Sequence, residues 1–438
     1  MVDIQFFELD KLSVEQRAKI MKRAEQDISD LLPLAQEVSE DVRQHGDAAV
    51  VKYARQWDAK NFEASLLRAT PEDFKRARAN LEPDVIAGIE EAHDNILCFH
   101  EAQMPEQMWF KQVKPGILAG EKVTPVASIG LYVPRGKGAF PSVMLMLATP
   151  AKVAGVPKIV VITPPTPEGK ADDASLVAAE VAGVDEVYAV GGIQGISALA
   201  YGTETVPKVD KIIGPGNAYV SAAKRLLYGT LDVGLPAGPS ESIILTDEKV
   251  DPRLAALDLL VEAEHGPDSA AILVTHSREV AEKALEILPE YIAKLPQWRR
   301  EFVETVLSNY GGIMLTNSLE ESIAFVNDYA PEHLEVLVEQ PFVALQQIQN
   351  AGEILLGNWT PIPTGNYALG VNAILPTGGF AKTFSAVSVW DFLKRSSIAY
   401  LSREGYEHLQ GHVARLADYE GFPAHAQAIR IRNEILDV

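Results

Sequence analysis

The chain has 438 residues, enough for two or three domains, and 47% of them are hydrophobic, enough to fill their cores. The formal net charge of −21 speaks against a nucleic-acid protein or a peripheral membrane binder, since both need a basic face. The single cysteine, Cys98, leaves no intramolecular disulfide, fits a reducing compartment such as the cytoplasm, and within Asn95-Ile96-Leu97-Cys98-Phe99-His100 reads as a packed small hydrophobe.

The opening Met1-Val2-Asp3-Ile4 lacks the basic, then apolar pattern of a signal peptide, and no apolar run reaches membrane-spanning length. Residues 11–110 carry apolar side chains at three- and four-residue spacing over 15–32, 34–57 and 71–99, which predicts helices closed off by Pro105 and Pro115. From Val126 the pattern changes to strand–turn–helix units, with strands at 129–133, 158–162, 186–190 and 211–213. Helices follow them at 142–154, 174–181, 194–201 and 217–227. A second set has strands at 242–245, 271–274, 312–315, 334–338 and 354–356, and the chain ends in a helical tail over 389–437. The fold class expected is α/β: two Rossmann-like, doubly wound parallel-sheet domains plus N- and C-terminal helical segments. The expected boundaries are an N-terminal helical segment at 1–30, a first α/β domain of 31–126 with 237–385, a second of 127–236, and a C-terminal helical tail at 386–438.

Three places carry candidate chemistry. Ala330-Pro331-Glu332-His333-Leu334-Glu335 sets a carboxylate beside an imidazole at a turn; a Glu can activate water and a His can take a proton from an alcohol. Glycine turns follow three first-set strands: Pro134-Arg135-Gly136-Lys137-Gly138, Gly191-Gly192 with Gln194, and Gly214-Pro215-Gly216-Asn217. None is a G-x-G-x-x-G fingerprint or a P-loop, yet together they would line one rim and suit an extended cofactor held by backbone N–H groups and helix N-termini. Arg135 and Lys137 there could assist with an anionic group. Glu262 and His265, three apart at a helix end, make half of a zinc site, which Asn366 and His425 could complete from distant sequence.

Read in register, the chain resembles histidinol dehydrogenases over nearly its full length. The motifs are Gly130-Leu131-Tyr132-Val133-Pro134, the stretch from Ala148 to Val156, Val206-Pro207-Lys208-Val209-Asp210 running into Gly214-Pro215-Gly216-Asn217-Ala218, and Pro236-Ala237-Gly238-Pro239-Ser240-Glu241. They continue with Ala263-Glu264-His265-Gly266-Pro267-Asp268-Ser269, Ala330 to Glu335, Leu375-Pro376-Thr377, and Glu420-Gly421 with Ala424-His425. The resemblance implies a homodimeric enzyme that oxidises an amino alcohol to a carboxylate in two NAD-dependent steps through a bound aldehyde. It implies Glu332 as the water-activating residue and His333 as the base for the alcohol proton. It further implies Tyr132, Gln194 and Asn217 at cofactor-contacting positions and Ser142, Ser240, Glu420 and Asn366 at substrate positions. Glu262, His265, Asn366 and His425 fall at the four ligand positions of a Zn2+ that anchors the substrate, with the His425 position lent by the other subunit.

The sequence departs from the family pattern in two respects. Glu262 and Asn366 stand where a glutamine and an aspartate are usual. The exchange is reciprocal, so two imidazoles, one carboxylate and one neutral oxygen remain and a zinc site is expected to survive. Ala373 stands after Gly370-Val371-Asn372 where the family has a substrate-contacting histidine, which points toward a paralogue acting on another polar alcohol, such as a sulfonated or amino diol.

Overall fold

The computed structural model describes residues 3–24, 28–135 and 138–436, and the statements below concern those residues. In chain order the strands are β1 (Phe6–Glu8), β2 (Met108–Lys114), β3 (Ile117–Pro125), β4 (Ile129–Tyr132), β5 (Ile159–Thr163), β6 (Val187–Ala189), β7 (Lys211–Ile213), β8 (Glu241–Thr246), β9 (Ala270–Thr275), β10 (Gly312–Leu315), β11 (His333–Leu337), β12 (Glu353–Leu356) and β13 (Leu393–Leu401). They divide between a larger unit, Met1–Gln103 with Val126–Phe392, and a smaller one, Met104–Pro125 with Leu393–Val438.

The larger unit holds two parallel sheets, one ordered β1-β10-β9-β8-β11-β12 and one ordered β6-β5-β4-β7. Every residue of β4, β8, β9, β10 and β11 is buried, which is why β4, β9 and β10 read as near-continuous apolar runs, while β8 and β11 bury the polar Glu241, Ser242, His333 and Glu335 as well. Alternation survives in which core each side chain enters. Ile244, Leu273, Ile313, Leu337 and Leu355 pack on one face of the six-stranded sheet, and Ile243, Ile272, Met314, Leu334 and Val336 on the other. Each such side chain contributes roughly 1.5–3 kcal/mol by leaving water. The α/β class with parallel sheets is as the sequence pattern predicts.

Four expectations need correction. The N-terminal segment is not wholly helical: β1 pairs in parallel with β10 and extends the six-stranded sheet before the helix Val14–Lys22 begins at its Ser13–Gln16 capping box. The helices between residues 32 and 102 were expected with the sheet of 237–385, but they pack on the helices of the four-stranded sheet. Leu32–Trp57 lies against Gly192–Tyr201 and Ala218–Leu227, Pro71–Asn80 against Asp173–Val181, and Pro83–Ala102 against Pro141–Val153. Their apolar stripes, such as Ala35, Val38, Val42 and Ala49, specify a buried face without specifying its partner. Cys98 is exposed, because the buried stripe of its helix is Ile89, Ala92, Ile96 and His100, and Cys98 falls outside that spacing.

The fourth correction concerns the smaller unit. Residues 108–125 and 393–401, read as helix end, connector and helical tail, form the antiparallel sheet β13-β3-β2. The side chains of β13 are mostly exposed, so no alternation of burial marks it in the sequence. Past the 3-10 turn Val389–Phe392 and β13, the tail turns α-helical at Ser402, whose side chain accepts from Gly405 N–H and caps Arg403–Tyr419; Pro423–Leu436 then packs on that helix. No described helix is long and apolar enough to cross a membrane.

Candidate active site

The Glu332-His333 dipeptide is placed by the way its helix stops. Helix Leu319–Tyr329 ends at Ala330, a left-handed residue with φ 54° whose N–H closes onto Val326 O at 2.8 Å. Left-handed alanine is strained, and the turn is held by its surroundings. Gly352 and Glu353 donate their N–H groups to Pro331 O and Glu332 O, each at 2.9 Å, so β12 fixes the turn before β11 begins. The pair therefore sits at the amino ends of parallel strands, not at the carboxyl ends where the glycine turns of the other sheet lie.

Both side chains are buried, Glu332 at 7% and His333 at 3% exposure. Glu332 Oε2 accepts the Glu241 N–H at 2.8 Å. His333 Nδ1 lies 2.8 Å from Glu353 Oε2, while its Nε2 is 3.9 Å from Glu332 Oε1 and 4.0 Å from Glu262 Oε1. Burial holds the Glu332 carboxyl well above the ordinary range, with the Glu262 charge adding to this and His333 and the Glu241 N–H opposing it. For His333, burial acts to lower the pKa, but the Glu262, Glu332 and Glu353 carboxylates outweigh it and raise the ring to about 10. Glu241 is itself raised to about 7 by burial, against the pull of Arg23, whose Nε stands 3.0 Å from Glu241 Oε2. The Arg23 guanidinium also lies 3.9 Å from the centre of the Tyr329 ring.

Three of the four expected metal residues converge. Glu262, in the last turn of helix Pro252–Ala263, is 1% exposed; its Oε2 is 3.1 Å from His265 Nδ1 and its Oε1 accepts from Asn366 Nδ2 at 3.1 Å. His265 Nδ1 is also 3.1 Å from Val261 O, which suits a ring that donates at Nδ1. Among the described residues no three His, Cys, Asp or Glu side chains cluster as a metal site, so a centre here needs the Asn366 amide oxygen and a further donor. The donor set fits a divalent cation in chemistry: a buried carboxylate, an imidazole and an amide within hydrogen-bonding distance of one another. His425 and Glu420 belong to the smaller unit and are exposed there, His425 within helix Pro423–Leu436 and Glu420 just past the end of Arg403–Tyr419.

The expected cofactor residues gather at the carboxyl ends of the four-stranded sheet. Tyr132 closes β4, 3% exposed, with its phenol pushed up to about 12 by burial and its oxygen 3.4 Å from Gly192 N. Gln194 lies 1% exposed in the first turn of its helix and donates from Nε2 to Asp58 Oδ2 at 3.2 Å; burial raises Asp58 to about 6. Asn217 is the N-cap of Ala218–Leu227, its Oδ1 taking the N–H groups of Tyr219 and Val220, which leaves its NH2 for a ligand. A Cβ on Gly191 would stand 2.3 Å from Pro164 Cγ, and one on Gly214 2.1 Å from Tyr132 O. Those glycines are needed by the protein's own close packing, and the start of helix Gly192–Tyr201, which no side chain caps, fits a phosphate of a dinucleotide.

Ser142 begins the helix after β4 and Ser240 precedes β8; both are half-buried. Arg135 donates to Pro165 O at 3.4 Å, and Lys137 lies outside the described residues. Ala373 is half-buried, its N–H directed at Met146 Sδ at 3.4 Å. Sequence reasoning missed Glu353, Asp58, Arg23 and the function of Glu241. A signal existed for Glu353, a charge opening the apolar run Ile354-Leu355-Leu356; none existed for Asp58 or Arg23, whose partners are distant in sequence.

A sequence-family model described as histidinol dehydrogenase matches residues 21–433. The chain belongs to the histidinol dehydrogenase family. It is 57% identical over 432 residues to a protein of Synechocystis sp. named histidinol dehydrogenase, covering 99% of this chain and 100% of that protein. It is 50% identical over 435 residues to a Colwellia psychrerythraea protein named histidinol dehydrogenase homolog, covering 99% and 98%. The crystal structure of histidinol dehydrogenase from Elizabethkingia anophelis superposes with a TM-score of 0.93 at 32% identity, covering 99% of both chains. The membership makes the protein an oxidoreductase of this family and accounts for its parallel-sheet architecture.

Proposed function

We propose that the protein is an NAD-dependent, zinc-assisted dehydrogenase that oxidises a small polar primary alcohol through its aldehyde to the carboxylate. The family reaction, L-histidinol to L-histidine, is the first candidate. The observation that carries this reading is the buried Glu332-His333 pair, its side chains 3.9 Å apart beside the Glu262, His265 and Asn366 cluster. In the first oxidation His333 Nε2 takes the hydroxyl proton as hydride leaves the carbon. In the second, Glu332, in its ionised form, takes a proton from the water that hydrates the aldehyde. NAD, when bound over Tyr132, Gln194 and Asn217, accepts the hydride of each oxidation. Zinc, when held by Glu262, His265, Asn366 and His425 of the partner subunit, anchors the substrate and offsets the Glu262 charge, the strongest of those raising His333.

Ser142, Ser240 and Asn366, with Glu420 of the partner subunit, are the proposed substrate contacts. A homodimer is favoured by apolar residues left open on the smaller unit: Tyr419 is 91% exposed, Ile435 73% and Leu416 61%. The cytoplasm is the proposed location, in keeping with a single cysteine. Ala373 favours a second reading of the substrate: a methyl cannot pair with a polar or anionic end, and leaving such a group unpaired costs about 1–3 kcal/mol. An NAD-reduction screen of L-histidinol beside sulfonated, phosphorylated and simple amino alcohols tests both. Turnover of histidinol at micromolar concentration selects the family reaction, and turnover confined to another alcohol selects the paralogue. No NAD reduction with any alcohol overturns the proposal. Metal analysis of the purified protein should find about one zinc per chain; full activity of a zinc-free protein in chelator overturns that part.

A further inference from the structure

Glu353 has two ties to the catalytic dipeptide. Its backbone N–H donates to Glu332 O at 2.9 Å and its carboxylate oxygen Oε2 lies 2.8 Å from His333 Nδ1. His333 and Glu353 are register partners on adjacent parallel strands, so the two side chains leave the same face of the sheet side by side. The carboxylate is buried, at 7% exposure, and its second oxygen, Oε1, has no hydrogen-bond partner among the described residues. Two glycines make the space. A Cβ on Gly365 would stand 2.5 Å from Glu353 Oε1, and one on Gly352 2.7 Å from Glu332 O. A buried carboxylate with a single strong partner is costly, and structures keep such a group where a charge is needed.

We infer that Glu353 is the positioning residue of His333: it fixes the proton of the neutral ring on Nδ1 and keeps Nε2 free to face the substrate. An ionised carboxylate only accepts hydrogen bonds, so Nδ1 must donate, and the lone pair of the neutral imidazole is left on Nε2. That nitrogen is the one turned toward Glu332 and Glu262, at 3.9 and 4.0 Å. When Nε2 takes the hydroxyl proton, the positive ring that forms is stabilised by the carboxylate behind it. The inference rests on the reading of His333 as the proton acceptor, but the ring's tautomer can be observed without turnover.

The test is 15N NMR of the full-length protein labelled at histidine, with H333N identifying the His333 signals. The ring should show a protonated Nδ1 and an unprotonated Nε2 when neutral. In E353L the proton should move toward Nε2. E353Q, which preserves volume, should fold as the parent does, shift the His333 ring signals, and lower kcat about 10–100-fold with little change in KM. Cofactor affinity, read by tryptophan fluorescence, should be unaltered in E353Q. A parent ring protonated at Nε2, or parental ring signals and kcat in E353Q, overturns the inference. A protein that reduces no NAD with any alcohol but shows the tautomer change refutes the functional reading and leaves the positioning intact.

Discussion

The two parallel sheets of the larger unit build candidate sites at opposite strand ends and by opposite means. The four-stranded sheet uses carboxyl ends, bare glycine loops and helix starts, with Asn217 and Tyr132 uncharged and a half-buried acid, Asp58, held by Gln194. The six-stranded sheet uses amino ends, where Glu241, Glu332, His333 and Glu353 are buried together. The difference follows from what each ligand would need. A dinucleotide's phosphates are met by N–H groups that helix starts supply whatever the side chains. Proton transfer needs particular side chains held within a few tenths of an ångström, and the first residues of central strands are pinned by ladders on both sides. The N–H groups free at that end also serve: Glu241 N–H holds Glu332, and Gly378 N–H holds Glu241 Oε1 at 2.7 Å.

If the division is right, damage to the two ends should separate in kinetics. The largest effect is expected of H333N, which should lower kcat by about 10²–10⁴-fold while NAD binding, measured by calorimetry, stays as in the parent. E332Q should still deliver the aldehyde, trapped by a hydrazine, but not the carboxylate. Next, R23M should cost stability at the six-stranded sheet, by about 3 kcal/mol in denaturant unfolding, because Glu241 loses its ion-pair partner in a buried place; side-chain exposures there are 8% and 5%. On the other sheet, G214A should weaken NAD binding roughly tenfold or more at near-parental kcat under saturation, since the new Cβ meets Tyr132 O in a φ of +136°. Equal loss of kcat and affinity in both variants would erase the distinction.

The smallest effect concerns pH. Glu335, fully buried behind His333 on β11, is raised to about 10 by burial and then by Asp258. Its folded form therefore holds a proton that the unfolded chain has released above its ordinary value of 4.5. Stability contributed by this protonated carboxyl is present at low pH and is lost as pH climbs from 4.5 toward 10. E335Q should flatten the fall in Tm between pH 6 and 9 (roughly the window set by linkage), and a Tm profile parallel to the parent's would show that the pair carries no such load.

How much of this was legible depended on whether the information was local. Apart from β1, the strands of both sheets were legible as short, largely apolar stretches between turns, and Glu332-His333 stood out as a polar pair beside one of them. Glu262 and His265 were readable because they are three apart on one helix end. Strand β13 was not readable, because the antiparallel partner that makes it a strand, β3, lies over 260 positions earlier in the register Leu393↔Pro125. The helix Leu32–Trp57 showed its apolar stripe but not which sheet would receive it. Nothing in the sequence around Arg23 marks it, and only the fold brings it to Glu241 across more than 200 residues. The order of strands was likewise beyond local pattern.

The left-handed Ala330 has a bearing on how often the site must be assembled. A glycine there would relieve the strain, but it would also let the chain wander between conformations each time a substrate left. Alanine followed by Pro331 narrows those choices, so the search for the working geometry is completed once, when the chain folds, instead of being repeated at every turnover.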